Sequence, residues 1–220
     1  MRRKTRAVFW TFLFCLTAAV ISPAEEPVGR VEWVKGRLNL TRAGRQHLAR
    51  AGESLYEGDR LVTGRLSRAL LVLGGHRLEM GPASTLLLVA VRPPTRYRFF
   101  LWLGRLRLAV TELLGLDLRV ETPAAIAGVR GTVFRVAVAA DGTTVIGVEE
   151  GTVVVTTPAG EGEVALHAGH EVTVRPGAPP MMPRKTTGGP GEEGDPQMGK
   201  EKETPKGEEQ GQGPQGGGGK

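Results

Sequence analysis

Few residues in this chain have the type and spacing to do chemistry. The foremost is Arg130, set in Thr-Pro-Ala-Ala-Ile-Ala-Gly-Val-Arg-Gly-Thr-Val-Phe over residues 122–134. A guanidinium is always charged and carries five donors in a fixed fork. Gly128 and Gly131 bracket Val129-Arg130 and let the backbone bend tightly. Gly128, Arg130, Gly131 and Thr132 therefore make a candidate binding site, an anion nest of N–H groups with Arg130 at its mouth. The structural alternative sends Arg130 across a corner to carbonyls or to a carboxylate, with Glu121, Glu149 and Glu150 as partners.

A second candidate is Arg96-Tyr97-Arg98-Phe99-Phe100-Leu101-Trp102, where cations and rings interleave. Such a stretch can stack bases, sugars or an interfacial lipid, and Tyr97, Phe99 and Trp102 form a candidate ligand surface. Strand alternation gives the competing reading. Tyr97, Phe99 and Leu101 share one face and can supply core, while Arg96, Arg98 and Phe100 share the other.

The remaining polar residues offer less. Asp59 follows Gly58 and reads as a turn residue capping backbone N–H groups, with no acid at a spacing that would complete a metal site. His167 and His170 lie three apart, but on a strand and turn they do not converge, and zinc normally takes three or four protein ligands. Glu149 and Glu150 are adjacent on a strand and point to opposite faces. Ser22, Ser54, Ser67 and Ser84 sit in no Gly-x-Ser-x-Gly elbow, and neither a phosphate loop nor His-Glu-x-x-His occurs. No metal, cofactor or nucleic-acid partner is expected, and the missing motifs favour a non-enzyme only together with the resemblance given below.

The elements that would hold these residues are short and end at Gly, Pro or Asp. Ala69–Leu73 is nearly continuous in apolar residues, Gly74-Gly75 turns, and His76–Met80 returns. Thr132, Phe134, Val136 and Val138 alternate with Val133, Arg135 and Ala137, and Asp141-Gly142 marks a hairpin. The pattern Gly-x-h-x-h, with h apolar, recurs at Gly36, Gly104 and Gly151, too unevenly for a solenoid of fixed period. It suggests corner-then-strand units reused in one sheet system. Val110–Leu116 is the one candidate helical turn. The chain reads as all-β, a β-roll or solenoid-like sandwich of short strands, parallel and antiparallel, with Gly/Pro corners. Core candidates are Leu38, Leu40, Leu61, Leu71, Leu73, Leu86, Leu88, Leu106, Leu108, Val120, Ile126, Phe134, Val136, Val153, Val155 and Leu166.

Several pieces, in order, resemble the FecR domain: Gly-Glu-x-Leu-x-x-Gly-Asp-x-Leu-x-Thr-Gly at 52–64, the Thr-Pro to Thr-x-Phe stretch at 122–134, Glu-Gly-x-Val-x-Val at 150–155 and Ala-Gly-His at 168–170. The resemblance runs from about Val31 to about Val174. At His170 the family more often has Glu. In full-length members the resemblance implies an inner-membrane regulator: a cytoplasmic segment controls a sigma factor, and a periplasmic domain reads an outer-membrane receptor.

The ends depart from that plan. Arg2, Arg3, Lys4 and Arg6 precede an apolar run at 7–21, and Ser22-Pro23-Ala24 supplies small residues for a cut after Ala24. The run of 15 residues is shorter than the ~20 that span a bilayer, so residues 1–24 read as a signal peptide. The alternative is an uncleaved inner-membrane anchor. The only cysteine, Cys15, falls inside this leader. Six residues before the run leave no room for a sigma-binding segment. The formal charge is +6, of which the leader's four cations supply a large part, so the basic balance says little about nucleic acid. Residues 25–177 are expected to fold, and 178–220, rich in Gly, Pro, Glu and Lys, to form a disordered tail. The expected function is an exported, periplasmic or extracellular interaction module whose partner is an envelope protein or cell-wall polymer. The alternatives are a periplasmic component of iron-responsive sigma-factor signalling working with a membrane partner, and a polysaccharide binder.

Overall fold

The computed structural model describes residues 26–111 and 116–186, and for Arg130 the backbone alone. The leader, the cut after Ala24, most of the candidate helical turn and the tail beyond Thr186 lie outside the described residues. Every element among the described residues is a strand. In order they are β1 (Gly29–Lys35), β2 (Leu38–Arg42), β3 (Arg45–Leu48), β4 (Ser54–Leu55), β5 (Arg60–Thr63), β6 (Arg68–Leu73), β7 (His76–Met80), β8 (Thr85–Arg92), β9 (Arg96–Ala109), β10 (Asp117–Glu121), β11 (Ile126–Val138), β12 (Thr144–Thr156), β13 (Glu163–His167), β14 (His170–Val174) and β15 (Arg184–Lys185). All join one hydrogen-bonded sheet system that curls into a small barrel-like body with extra strands. Pairing is antiparallel except between β9 and β10, which run parallel. The all-β expectation holds, but β9, β11 and β12 have 14, 13 and 13 residues and are not short.

Each long strand changes neighbours part-way along. The first part of β9 lies between β8 and β10, and Gly104–Ala109 lies between β7 and β11. Strand β11 pairs with β10 through Val129 and with β9 from Val133 onward. Strand β12 pairs with β14 through Gly147 and with β13 from Thr152. Two of the Gly-x-h-x-h units, at Gly104 and Gly151, mark such exchanges, and the third, at Gly36, makes the bend between β1 and β2. Gly36, Gly104 and Gly151 have φ of +90°, +97° and +82°, in the region L side chains avoid. A Cβ on Gly36 would collide with Ser67 Oγ and one on Gly104 with Ser84 Oγ; on Gly151 it would sit 2.7 Å from Thr132 Cγ2. The backbone N–H groups of Arg37 and Arg105 donate to those serine hydroxyls at 2.8 and 2.9 Å. The repeated pattern is thus one bend-and-cap device, in which glycine permits the bend and close approach. At two of the three a buried hydroxyl accepts the amide that leaves the ladder.

Alternation fills the interior. All the expected core residues are buried except Ile126, which is half-buried. The reason is a bulge between Arg130 and Val133. Inward residues are Ala127 and Val129 before it, and Thr132, Phe134, Val136 and Val138 after it. Counting back in twos from Phe134 crosses that bulge and reverses the faces. The corner ahead of β11 is fixed by hydroxyls. Thr122 Oγ1 donates to Ala125 O at 3.0 Å, accepts from Ala125 N–H at 2.9 Å, and meets Thr144 Oγ1 at 2.9 Å.

The ordered sheet continues past the boundary expected at 177. Met181 N–H donates to Thr173 O, Thr186 N–H to Gly169 O, and β15 pairs with β14. Backbone pairing carries this extension, which a scan for buried apolar side chains does not register.

Candidate interaction surface

Strand β9 sorts its aromatic stretch by alternation. Tyr97, Phe99 and Leu101 are wholly buried. Tyr97 and Phe99 are therefore core, a correction to the three-residue ligand surface, because strand parity points their rings inward. Trp102 remains, 52% exposed, and Leu103 beside it is 38% exposed. The register shift between β8 and β9 beside Leu101–Leu103, with the bend at Gly104, lets two successive large apolar residues face solvent. Phe100, half-buried, packs on Trp102 with ring centroids 4.3 Å apart and planes inclined at 46°. Leu87 of β8 lies opposite Phe100 on one side and Glu121 of β10 on the other. Arg98 Nε and Nη2 donate to Glu121 Oε1 at 2.9 and 2.6 Å, fixing the rim. The result is an apolar outer patch of Leu87, Phe100, Trp102 and Leu103 beside an oriented ion pair. Aromatic residues at the centre of a polar rim are the composition of a protein-contact patch.

The Gly128–Thr132 candidate has a different local structure. Its backbone is a strand, with Gly128 opposite both Arg119 and Val154, and Arg130 opposite Thr152. Ladder pairing takes amides to alternate sides, whereas a nest needs successive amides converging on one point. Gly131 has φ +59° and faces Gly151 across the bulge, where a Cβ on Gly151 would be 2.8 Å from Gly131 O. Thr132 is buried, and its Oγ1 has no partner among the described residues. These residues carry the neighbour exchange. Of the carboxylates considered for Arg130, Glu121 bonds Arg98, and Glu149 bonds Arg107 Nη2 at 2.6 Å. The Arg130 side chain is outside the described residues.

Asp59 is buried and accepts from Arg42 Nε and Nη2, both at 2.7 Å, and from Tyr56 N–H at 2.9 Å. The hydrogen bonds to Asp59 raise the Arg42 guanidinium above its ordinary range. Both oxygens are thus committed, and the turn-capping reading describes Asp59. His167 and His170 are engaged separately, with Thr152 Oγ1 and Ala168 O. Among the described residues no group of three or more His, Cys, Asp and Glu could hold a metal.

One buried polar group escaped the sequence reading. His76 is fully buried, and burial holds its imidazole below the usual histidine range. Its Nδ1 accepts from Thr111 N–H at 3.3 Å, and its ring meets Tyr97 edge-on at 4.6 Å. The signal was its inward parity with Leu78 and Met80.

A family model described as FecR protein matches residues 59–154. Over that stretch the chain is similar to the FecR family, as the ordered motifs implied. That stretch begins at the buried Asp59 and contains the Trp102 patch and both glycine exchanges at Gly104 and Gly151. No curated protein matches the chain. Two crystal structures of a protein from Parabacteroides distasonis ATCC 8503, described as an anti-sigma factor, share the fold, each with 16% identity and a TM-score of 0.51. The match covers 57% of this chain and 59% of that one, so part of that protein's length has no counterpart in the match.

Proposed function

We propose that this FecR-like domain is a non-enzymatic interaction module of the bacterial cell envelope, docking a protein partner through the Phe100–Trp102 face of β9. The observation that carries the reading is the exposed Trp102 on a fixed ring pair beside the Arg98–Glu121 rim. The carboxylates and histidines that might have formed a reactive centre are instead paired or scattered. A polysaccharide platform fits less well. Two of its three rings are core, and Phe100 is tilted against Trp102, so the pair offers no continuous flat face.

The FecR match and the fold shared with an anti-sigma factor favour one setting for this module: a periplasmic component of sigma-factor signalling that works with a membrane partner. Fractionation of native cells with N-terminal sequencing tests the location. A chain starting at Glu25 in the soluble envelope supports an exported module, and one starting at Met1 in the membrane fraction makes residues 7–21 an anchor. Retention in the cytoplasm would refute both. Trp102→Ala in the chromosomal copy is expected to change sigma-dependent transcription while the protein level stays constant.

A further inference from the structure

At one end of the sheet system several cations of the described residues come together. Lys35 of β1 is the ladder partner of Arg68 of β6. Arg37 N–H donates to Ser67 Oγ, and Gly64 N–H donates to Arg37 O, which brings Arg37 beside the turn Gly64–Ser67 that carries Arg65. Ala83 N–H donates to Gly64 O, and Gly81 N–H to Arg105 O, so the exposed Arg105 lies along the same end. Lys35, Arg37, Arg65 and Arg68 are all exposed, and none has an ion-pair partner among the described residues. The segments that build this end, residues 33–52, 60–78 and 80–111, contain no Asp or Glu. Glu79 of β7 lies opposite Leu70 and Arg107, and it faces Arg107.

At the apex of this cluster stands Leu66, 93% exposed. It occupies an inner position of the tight turn closed by Ser67 N–H to Gly64 O. The turn has no use for a leucine there, since the side chain packs on nothing. An apolar residue at the tip with cations at its base matches the layering of a membrane surface, where acyl chains lie beneath anionic headgroups. Nucleic acid would take the cations but has no use for the leucine, and none of these residues offers a ring for base stacking.

We propose that the end formed by Lys35, Arg37, Arg65 and Arg68 is a peripheral membrane-contact site, at which Leu66 enters an anionic phospholipid bilayer and the four cations meet headgroup phosphates. The site is separate from the Trp102 patch and stands independently of the function proposed above.

The test is co-sedimentation of the full chain with vesicles of phosphatidylcholine alone and of phosphatidylcholine mixed with phosphatidylglycerol, at low and high salt. The parent is expected to partition onto the anionic vesicles and to leave them as salt rises. Each cation reversed is expected to weaken partition about fivefold or more. Arg65→Glu with Arg68→Glu then loses at least ~25-fold on the same scale. Leu66→Ser keeps every charge and the turn, and is expected to weaken binding to anionic vesicles without changing melting. Every variant retains residues 1–25, so binding carried by the leader would leave them equal to the parent and overturn the proposal. Equal partition onto neutral vesicles would also overturn it. So would binding of a single-stranded oligonucleotide or a polyglutamate peptide with vesicle binding absent, which would assign the cations to another anionic partner.

Discussion

Asp59→Ala probes the loop that opens the FecR match. The substitution removes three hydrogen bonds, two from the Arg42 fork at 2.7 Å and one from Tyr56 N–H at 2.9 Å. It leaves Arg42 with one bond, from Nη2 to Ser54 O at 2.9 Å, and with its place over the Tyr56 ring at 4.2 Å. Breaking a buried ion pair costs about 3–5 kcal/mol, because the remaining charge is stranded. The Arg42 side chain is 33% exposed, so water takes up part of that charge, whereas the Asp59 side chain is wholly buried. The expected loss is therefore about 3 kcal/mol for Asp59→Ala and about 4 kcal/mol or more for Arg42→Ala, which strands the carboxylate. For a domain of this size, 3 kcal/mol lowers Tm by about 6–12 °C. Urea unfolding followed by circular dichroism measures both, and the double mutant completes the cycle, with a coupling of at least ~1.5 kcal/mol expected. Losses near the ~0–1 kcal/mol of a surface pair, or no coupling, would refute the reasoning.

Other consequences follow from the same geometry. Gly104→Ala places a Cβ 2.5 Å from Ser84 Cα at φ +97°, and is expected to cost about 2 kcal/mol or more in urea unfolding. Because the backbone itself is strained, adding Ser84→Ala should not restore stability; full rescue would show that the serine side chain alone was the obstacle. Burial lowers the His76 pKa, so below the unfolded value of about 6.5 the unfolded chain binds the proton more readily than the folded one. Stability is then expected to fall as pH drops below about 6.5, and His76→Gln should flatten that part of the profile. A parent and variant with the same slope would exclude His76 as its source. Trp102→Ala removes a half-exposed ring and should change Tm by less than about 2 °C, the response of a surface site; a large drop would make Trp102 a core residue.

Much of the fold was legible because strands write their faces in alternate residues. Tyr97, Phe99 and Leu101 fell inside as parity required, and Leu106, Leu108, Val153 and Val155 did likewise. The Gly-x-h-x-h units were visible as corners. What they do was not, since an exchange of neighbours depends on which strands lie alongside. Ile126 was misplaced for the same reason: a bulge at Gly131 is a property of the pair with Gly151, and one strand read alone keeps its parity. Arg42 and Asp59 lie 17 residues apart, and no local pattern links them. The surface was half legible. Trp102 was flagged with two rings that prove to be core. Trp102 keeps the outward parity of Arg98 and Phe100, whereas the exposure of Leu103 beside it rests on the register shift and the Gly104 bend, which no count of alternate residues anticipates.

The docking role of the β9 face is tested most directly by a photo-crosslinking residue placed at Trp102 in native cells, with Val154, 39% exposed on another strand, as the control. The account predicts a discrete protein adduct from position 102 that disappears with Phe100→Ala, and none from 154. Adducts alike from both positions, or none from 102, would contradict it.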